Sequence, residues 1–198
     1  MASGSRTRKR GDQLLESIYD ATIEIIRNDG YGNLTFLKIS RVARTGRTVL
    51  YRRWATPFDL VREIVAYKSE QALGGDLIDL VKDTGSLRGD LLYTIKLYQK
   101  IYMSVGPEIM NAVLLEMSQN NTRIPTIKSD VDYKNIQVIE KLVQFARARG
   151  ERIKPLSKTA LALPFDLIRM HFILEQHVFS KAEQEQLVDE ILLPVFEY

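Results

Sequence analysis

Apolar residues recur every three or four positions along nearly the whole chain. The first such segment ends at Asp29-Gly30, a combination typical of a helix end, and it contains Leu14, Leu15, Ile18, Thr22, Ile25 and Ile26. This spacing predicts an amphipathic helix over about residues 12–29. No clean alternation of period two occurs, and no Asn-Gly or Asp-Gly turn joins two such runs, so strands are not expected. The pattern predicts an all-α protein.

Capping residues delimit three further helices before residue 75. Thr35 can accept a backbone N–H at the start of the second helix, and Thr56-Pro57 is a typical start for the fourth. A turn over Arg44–Gly46 leads into the third helix, over about 47–53, which makes both the second and the third short. Gly74-Gly75 ends the fourth helix.

Longer and more apolar helices are predicted beyond residue 76. Glycine, proline and asparagine pairs separate them into segments over about 87–104, 107–119, 126–149, 157–177 and 181–197. About nine helices are thus expected. The chain is expected to divide into three parts, namely a basic arm over 1–11, a first domain over 12–73 and a second domain over 76–198.

The last two predicted helices carry more apolar surface than a single chain easily covers. The helix over 157–177 is apolar nearly all round, and the last helix has an apolar stripe of its own. Either both helices fill the core of one chain, or a second copy covers part of them in a homodimer. A homodimer would use Phe165, Ile168, Phe172, Leu187, Ile191 and Val195.

The positive charge is confined to the N-terminal third. Residues 1–68 hold 13 Lys and Arg against 7 Asp and Glu, whereas residues 69–198 hold 15 against 18. This split is typical of a nucleic-acid-binding head on a nearly neutral body, although an uneven surface would also produce it. No run of eighteen apolar residues and no apolar leader segment occurs, so we expect a soluble cytoplasmic protein without a membrane.

The basic excess is concentrated in the predicted second and third helices. Residues 34–53 hold six Lys and Arg and no Asp or Glu, whereas a solvated surface helix normally mixes both signs. Two short helices joined by a turn and braced by a first helix form a helix-turn-helix, whose second helix enters the major groove of DNA. Because DNA repels carboxylates and gains affinity from Lys and Arg, the composition favours DNA over a merely solvated face.

Four stretches of the chain are similar to a known family. LLESIYDATIEIIRNDGYGNLT, from Leu14, and VLYRRW, from Val49, resemble the DNA-binding domain of the tetracycline-repressor (TetR) family over about Asp12–Tyr67. SLRGDLL, from Ser86, and ARARGE, from Ala146, resemble stretches found in one large branch of that family. The resemblance implies a homodimeric transcriptional regulator, usually a repressor. Its three N-terminal helices would bind double-stranded DNA, and its variable C-terminal domain would hold the dimer contact and a small effector.

The resemblance also implies roles for single residues of the helix-turn-helix. Arg47, Thr48 and Val49 would face base edges, and Arg47 could donate to guanine O6 and N7. Arg53, Thr35 and Lys38 would contact phosphates. Tyr51 would contact a phosphate or would simply pack, and Leu50 and Trp54 would be core. The complete candidate DNA-binding set is Thr35, Lys38, Arg44, Thr45, Gly46, Arg47, Thr48, Val49, Tyr51, Arg52 and Arg53.

Three positions depart from the family pattern. Arg44 stands where the turn usually has glycine, and a left-handed conformation there would cost an arginine roughly 1–2 kcal/mol. Gly46 replaces the usual serine N-cap, and Pro57 replaces a common phosphate-binding lysine. The basic arm could compensate by reaching DNA, or it could be a disordered solubilising tail.

Apolar and aromatic residues of the second domain are candidates for an effector cavity. Such cavities combine apolar walls with a few polar groups, although each residue could equally be plain core. We expect a small hydrophobic effector that binds better to a conformer in which the two DNA-binding heads are wrongly spaced for DNA. The fourth helix would transmit this change. The candidate lining is Tyr93, Tyr98, Tyr102, Met103, Met110, Met117, Phe145, Phe165 and His171.

Enzymatic interpretations find little support. His171 and His177 are six residues apart, off the i, i+4 spacing of a shared metal face, and no Walker, nucleophile-elbow or dinucleotide motif occurs. We therefore expect no catalysis, cofactor or metal. The competing hypotheses are a ligand-responsive repressor, an architectural DNA-binding protein with little sequence preference, and a helical small-molecule-binding protein with weak or no sequence-specific DNA binding.

Overall fold

The computed structural model describes the backbone of residues 3–118 and 124–198, and the side chains from residue 11 onward except those of residues 117 and 119–132. The described residues form helices and one isolated β-bridge, between Ile153 and Glu197, but no strand. This confirms the all-α prediction. The helices are α1 Ser3–Asp29, α2 Phe36–Val42, α3 Arg47–Arg53, α4 Pro57–Leu73, α5 Leu77–Leu80, α6 Leu87–Val105, α7 Pro107–Ser118, α8 Ile124–Ala148, α9 Lys158–Glu175, α10 Lys181–Gln186 and α11 Leu193–Phe196.

Three element boundaries differ from the sequence-based expectation. The first helix begins at Ser3 rather than near residue 12, so much of the expected arm continues α1. The four-residue helix α5 was not foreseen. The expected last helix is interrupted by a π-helical segment, Leu187–Leu192, between α10 and α11. Pro194 follows that segment, and because proline lacks an N–H it cannot continue a regular hydrogen-bond ladder.

Side-chain caps form where the sequence places them. The Thr35 hydroxyl accepts the backbone N–H of Lys38 at 3.2 Å and so caps α2. Thr56 and Asp59 cap α4 reciprocally. The Asp59 N–H donates to the Thr56 hydroxyl at 3.2 Å, while the Thr56 N–H donates to Asp59 Oδ2 at 2.9 Å. These bonds satisfy N–H groups that a helix start leaves without intrahelical partners.

Packing divides the chain into two units. The first comprises the residues up to Tyr67 together with Glu108–Ser118, and the second comprises Lys68–Pro107 and the residues beyond Ser118. We expected one domain over all of residues 76–198, but most of α7 groups with the N-terminal helices. Two side-chain contacts explain this grouping. Arg27 pairs with Glu108 at 3.2 Å, and the Tyr31 hydroxyl donates to Glu116 at 2.8 Å.

The core of the first unit is aliphatic and lies among the first four helices. Ile18 of α1, Ile39 of α2, Leu50 of α3 and Leu60 and Ile64 of α4 are almost wholly buried. Burial of each such side chain contributes about 1.5–3 kcal/mol, which holds the short helices α2 and α3 in place although neither would be stable alone.

In the second unit, SLRGDLL and ARARGE meet in an ion cluster. Arg149 donates to Asp90 Oδ2 at 2.8 Å and to Glu151 Oε1 at 2.6 Å, and it also pairs with Asp83. Glu151 in turn accepts the backbone N–H of Leu87 at 2.9 Å, at the start of α6. Because the Asp90 side chain is completely buried, Arg149 supplies the charge that this carboxylate requires.

The other residues of SLRGDLL have separate structural roles. Ser86 caps α6 by accepting the Gly89 N–H at 3.1 Å, and Arg88 binds both carboxylate oxygens of Asp189 on the π-helical segment at 2.6 and 2.8 Å. A Cβ at Gly89 would lie 2.3 Å from the Thr84 hydroxyl oxygen, so any other residue there would force the Thr84 side chain to move. The stretch is therefore a packing and charge motif of the second unit.

Candidate nucleic-acid interface

The third helix presents one polar face and one buried face. Leu50 is completely buried beneath it, and Trp54, its C-terminal cap residue, is buried as well, which confirms the expected core positions. Arg47, Thr48 and Tyr51 are exposed. Since residues at i and i+4 share a helix face, Arg47 and Tyr51 project on the same side. We call α3 the recognition helix from here on.

The turn before the recognition helix is a Schellman motif centred on Arg44. Arg44 has φ 50°, so the turn keeps the left-handed conformation of a glycine although that conformation is costly for an arginine. The Thr45 N–H donates to the Ser40 carbonyl at 3.0 Å and the Arg44 N–H to the Arg41 carbonyl at 3.4 Å, the two bonds that define this helix end. Gly46, the N-cap of α3, supplies no side-chain cap bond.

Glu63 of α4 anchors the C-terminal end of the recognition helix. Its Oε1 accepts from the Tyr19 hydroxyl and from Arg53 Nη2, each at 2.6 Å, and its Oε2 accepts from Trp54 Nε1 at 2.8 Å. The partial burial of Glu63 opposes ionisation, but the bonds from Tyr19, Arg53 and Trp54 outweigh it and hold the pKa of the carboxyl below its usual value. One carboxylate thus ties α1, α3 and α4 together.

Sequence reasoning did not identify Glu63. Glu63 lies nine residues after Trp54, in the helix that follows the recognition helix. No sequence pattern pairs two residues at that spacing. Only the tertiary arrangement brings the carboxylate to the indole N–H.

Two of the predicted phosphate-binding residues have partners inside the protein. Lys38 pairs with Asp29 at 3.1 Å, and Arg53 pairs with Glu63 while its guanidinium lies 5.2 Å from the centroid of the Trp54 ring. Arg44, Arg47 and Arg52, by contrast, form no ion pair with any residue that the structure describes. Among the candidate DNA-binding residues, these three arginines therefore keep an unpaired charge.

Tyr51 packs, which is one of the two roles that sequence analysis left open. Its ring packs edge-on against Phe36, with ring centroids 4.9 Å apart, and yet the residue is 63% exposed. The packing holds the ring against α2, and the exposed remainder leaves the phosphate contact a prediction.

The candidate effector residues do not form one group. Tyr98, Tyr102 and Phe165 lie together in the second unit, with ring centroids 5.1 Å apart for Tyr98–Tyr102 and 4.5 Å apart for Tyr98–Phe165. Met103 is 67% exposed, and Met110 belongs to the first unit, so neither joins that cluster. The side chain of Met117 lies outside the described residues. Tyr93 and Phe145 lie beside lysines instead, with Lys82 4.5 Å from the Tyr93 ring centroid and Lys141 6.0 Å from that of Phe145.

His171 lies in a different environment from the tyrosines. Its ring stacks on Phe179 at 3.8 Å and meets His177 at 4.9 Å, although the two histidines are six residues apart. Among the described residues, no group of three or more histidine, aspartate or glutamate side chains could hold a metal ion.

Most of the candidate dimer residues lie inside the chain's own core. Phe165, Ile168, Phe172 and Leu187 are buried in the single chain, so they have almost no surface left to give to a second copy. Ile191 is 45% exposed and Val195 is half-buried. The apolar residues of α9 that do face outward are Met170 and Leu174, 56% and 69% exposed, and sequence analysis had not singled them out.

The fold and this site define a class of protein. An all-α chain with an N-terminal helix-turn-helix and an exposed cationic recognition helix has the architecture of the helix-turn-helix class of DNA-binding proteins. Within the described part of the chain, no helix is long and apolar enough to cross a membrane.

Comparisons with known proteins show which regulators the chain resembles, although no family model matches it. The DNA-binding transcriptional repressor TetR of Mycobacteroides abscessus is 21% identical over 184 residues, which cover 93% of this chain and 94% of that protein. A tetR-family regulatory protein from Rhodococcus RHA1 superimposes with a TM-score of 0.67 at 15% identity, over 92% of this chain and 96% of that one. The transcriptional regulator FadR of Bacillus subtilis, in complex with stearoyl-CoA, gives 0.66 at 17% identity, over 91% and 97%. In sequence and in fold, the chain is thus similar to transcriptional regulators of the TetR type.

Proposed function

We propose that the protein is a ligand-responsive repressor that binds a palindromic operator as a homodimer. The observation that carries this proposal is the recognition helix itself. It exposes unpaired arginines and a polar face, and Glu63 and the buried Leu50 hold it in place. A rigid reading surface favours sequence-specific binding, because an accurate fit lets each wrong base pair cost about 1–3 kcal/mol.

A homodimer follows from the small size of one head and from the surface of the second unit. A single recognition helix contacts few base pairs, whereas two heads about 34–36 Å apart would contact both halves of a symmetric site. Met170 and Leu174 lie on the same face of α9, one turn apart, and are largely exposed in the single chain. We propose that these two residues, with Ile191, form the contact between the copies.

The effector is proposed to bind in the second unit and to act on the heads through the chain connections. The chain passes from one unit to the other within α4, between Tyr67 and Lys68, and again at Pro107–Glu108. A ligand that favours one arrangement of α6 would therefore bias the start of α7 and the end of α4. The stearoyl-CoA complex of FadR shows that a structural neighbour holds a small organic ligand.

The decisive test is salt-titrated binding to the DNA upstream of the gene, with Arg47→Ala beside wild type. Loss of about 1–3 kcal/mol confined to the cognate site is expected, since Arg47 would donate to a base. Lys100→Ala, which removes an exposed charge from α6, is the matched control and should change nothing. Uniform weakening on all sequences would support an architectural DNA-binding protein, and absence of binding at low salt a ligand-binding protein without DNA function.

A further inference from the structure

Four polar side chains of the second unit lie together, and two of them have a buried donor atom without an acceptor. Thr94, Tyr98 and Tyr102 follow one another at intervals of four on α6 and so share a face, and all three are buried. Arg169 of α9 lies against this face. Its Nη2 is buried and, like the Thr94 hydroxyl, has no hydrogen-bond partner among the described residues.

The contacts within the cluster leave donors unused. The hydroxyl oxygens of Tyr98 and Tyr102 are 3.3 Å apart, so at most one of their two hydrogens is used between them. A guanidinium has only donors. The hydroxyl oxygens of both tyrosines can accept from Arg169, and its Nη1 lies 3.0 Å from the carboxylate of Asp166, which is more than half exposed to solvent. The Nη2 of Arg169 and the Thr94 hydroxyl nevertheless stay buried without a partner, so the cluster keeps an excess of donors.

The protonation of Arg169 agrees with this geometry. Burial acts to lower the pKa of its guanidinium, but the neighbouring Tyr98 and Tyr102 more than reverse that effect and leave the pKa above its usual value. Arg169 is thus a permanent cation in a largely apolar setting. A buried cation and unpaired donors are stabilised by an anionic acceptor.

Aromatic rings border the cluster on its apolar side. Phe165 packs against Tyr98 with centroids 4.5 Å apart, and Phe172 against Tyr102 with centroids 5.0 Å apart. A ligand here would place an anionic group on the donors and an apolar body among the rings. The cluster holds a single cation, which Asp166 already contacts from the solvent side, so a monoanion fits better than a dianionic phosphate.

We propose that Arg169, Tyr98, Tyr102 and Thr94 bind the carboxylate of an apolar organic acid, and that such an acid is the effector. This inference rests on the proposed function, because it names the ligand of a ligand-responsive repressor. Because the rings are in contact in this structure, entry of the acid requires at least one of them to rotate. That movement, on α6 and α9, is the step that would bias the heads.

The test measures binding of straight-chain carboxylates of four to twelve carbons and of 1-naphthoate by isothermal titration calorimetry. The matched neutral probes are the corresponding primary amides, which have the same shape without the charge. At least one acid is expected to bind tenfold or more tightly than its amide, and to release the protein from operator DNA. Equal affinities for acid and amide, or no binding of any acid at millimolar concentration, would overturn the inference.

Variants assign the preference to the cluster. Arg169→Gln should abolish the preference for acid over amide, and Arg169→Lys should keep part of it because it retains the charge. Tyr102→Phe, which removes one donor and no charge, covers the case in which Arg169→Gln does not fold, and it should weaken the acid several-fold. Lys100→Gln is the control. An unchanged preference in folded Arg169→Gln and Tyr102→Phe would refute the assignment.

Operator binding without ligand, measured on the same samples, separates this inference from the proposed function. A protein that binds its operator but no acid retains the repressor function and loses only the assignment of the effector. A protein that binds no operator loses the proposed function itself, whereas the acid preference can still be measured directly.

Discussion

At the scale of single residues, the chain tolerates strain at the turn that places the recognition helix. Arg44 adopts φ 50°, where a side chain with a Cβ costs roughly 1–2 kcal/mol relative to glycine. Arg44 forms no ion pair with a described residue that would offset this cost. An unpaired arginine at a strained turn, next to an acid-free helix, is consistent with selection for DNA contact rather than for stability.

Arg44→Gly tests that interpretation. We expect the free energy of unfolding to stay unchanged or to rise by up to about 1 kcal/mol, because relief of strain exceeds the extra entropy of unfolded glycine. Arg41→Gly, at a regular position of α2, should lower it by about 1 kcal/mol. Urea denaturation gives both values. In DNA titrations, Arg44→Gly should reduce the salt dependence of binding by about one phosphate contact. If both changes lowered the free energy of unfolding equally, the interpretation that Arg44 is strained would be wrong.

At the scale of elements, a few charged side chains align helices that are too short to be stable alone. Glu63 joins α4 to Trp54 and Arg53 at the end of the recognition helix and to Tyr19 of α1. The Arg149 cluster does the same in the second unit, where it links the start of α6 to the segment after α8. The Glu63 carboxylate and the carboxylates around Arg149 therefore connect elements of the fold and are not simply surface charges.

Glu63→Gln should loosen the recognition helix. We expect the free energy of unfolding to fall by about 1–2 kcal/mol, since an amide accepts fewer and weaker hydrogen bonds than the carboxylate. Operator binding should weaken as well. Glu70→Gln, at an exposed position of the same helix, is the control. Thermal unfolding and operator titration of the three proteins measure both effects. A Glu63→Gln protein as stable as the control would show that the bonds contribute nothing.

The pH dependence of this effect has a definite sign. The folded-state pKa of Glu63 is lowered from an unperturbed value of 4.5, so its contribution to stability is complete above about pH 4.5. That contribution is lost as the pH falls through the lower folded-state pKa. The difference in melting temperature between wild type and Glu63→Gln should therefore shrink in acid. A difference that stays constant from pH 6 to pH 3 would argue against the assignment.

Arg149→Met should destabilise the second unit strongly. It leaves the wholly buried Asp90 without its cation, which costs about 3 kcal/mol or more. Asp90→Asn in the same background should recover part of the loss, because the neutral amide needs no counter-charge. Urea denaturation of both single variants and the double variant gives the coupling. Additive losses would mean that the two side chains do not depend on each other.

At the scale of the whole molecule, DNA recognition is proposed to depend on two copies of the chain. Met170 and Leu174 expose a continuous apolar strip on α9 that a single chain leaves in water. Contact between copies through this strip would set the distance between the heads, and that distance selects the spacing of the operator halves.

Leu174→Glu combined with Met170→Glu should break the dimer. Two carboxylates at the contact would repel their copies and lose the buried apolar area. Light scattering should then show the mass of one chain, and operator affinity should fall by at least tenfold while the helix content stays unchanged. Tyr133→Glu, which changes an equally exposed aromatic residue on α8, is the control. A variant that remains dimeric would place the contact elsewhere.

Helical periodicity and capping residues are local properties, and they can be predicted from the sequence. The positions of α2, α3 and α4, the Thr35 and Thr56 caps and the buried Leu50 and Trp54 follow from residues a few positions apart. The acid-free stretch over 34–53 is also visible directly in the chain, because charge composition does not depend on folding.

Contacts between distant residues required the tertiary structure. Glu63, the Arg149 cluster and the donors around Arg169 join side chains whose spacing along the chain follows no periodic rule. For the same reason, Phe165 and Phe172 were assigned to a dimer contact although they lie in the core, since an all-apolar helix does not reveal which side another helix covers. The sequence by itself therefore determined the helices and the cationic head. Only the tertiary packing decided which charges are paired inside and which remain available to a ligand or to DNA, because that depends on what each side chain meets in space.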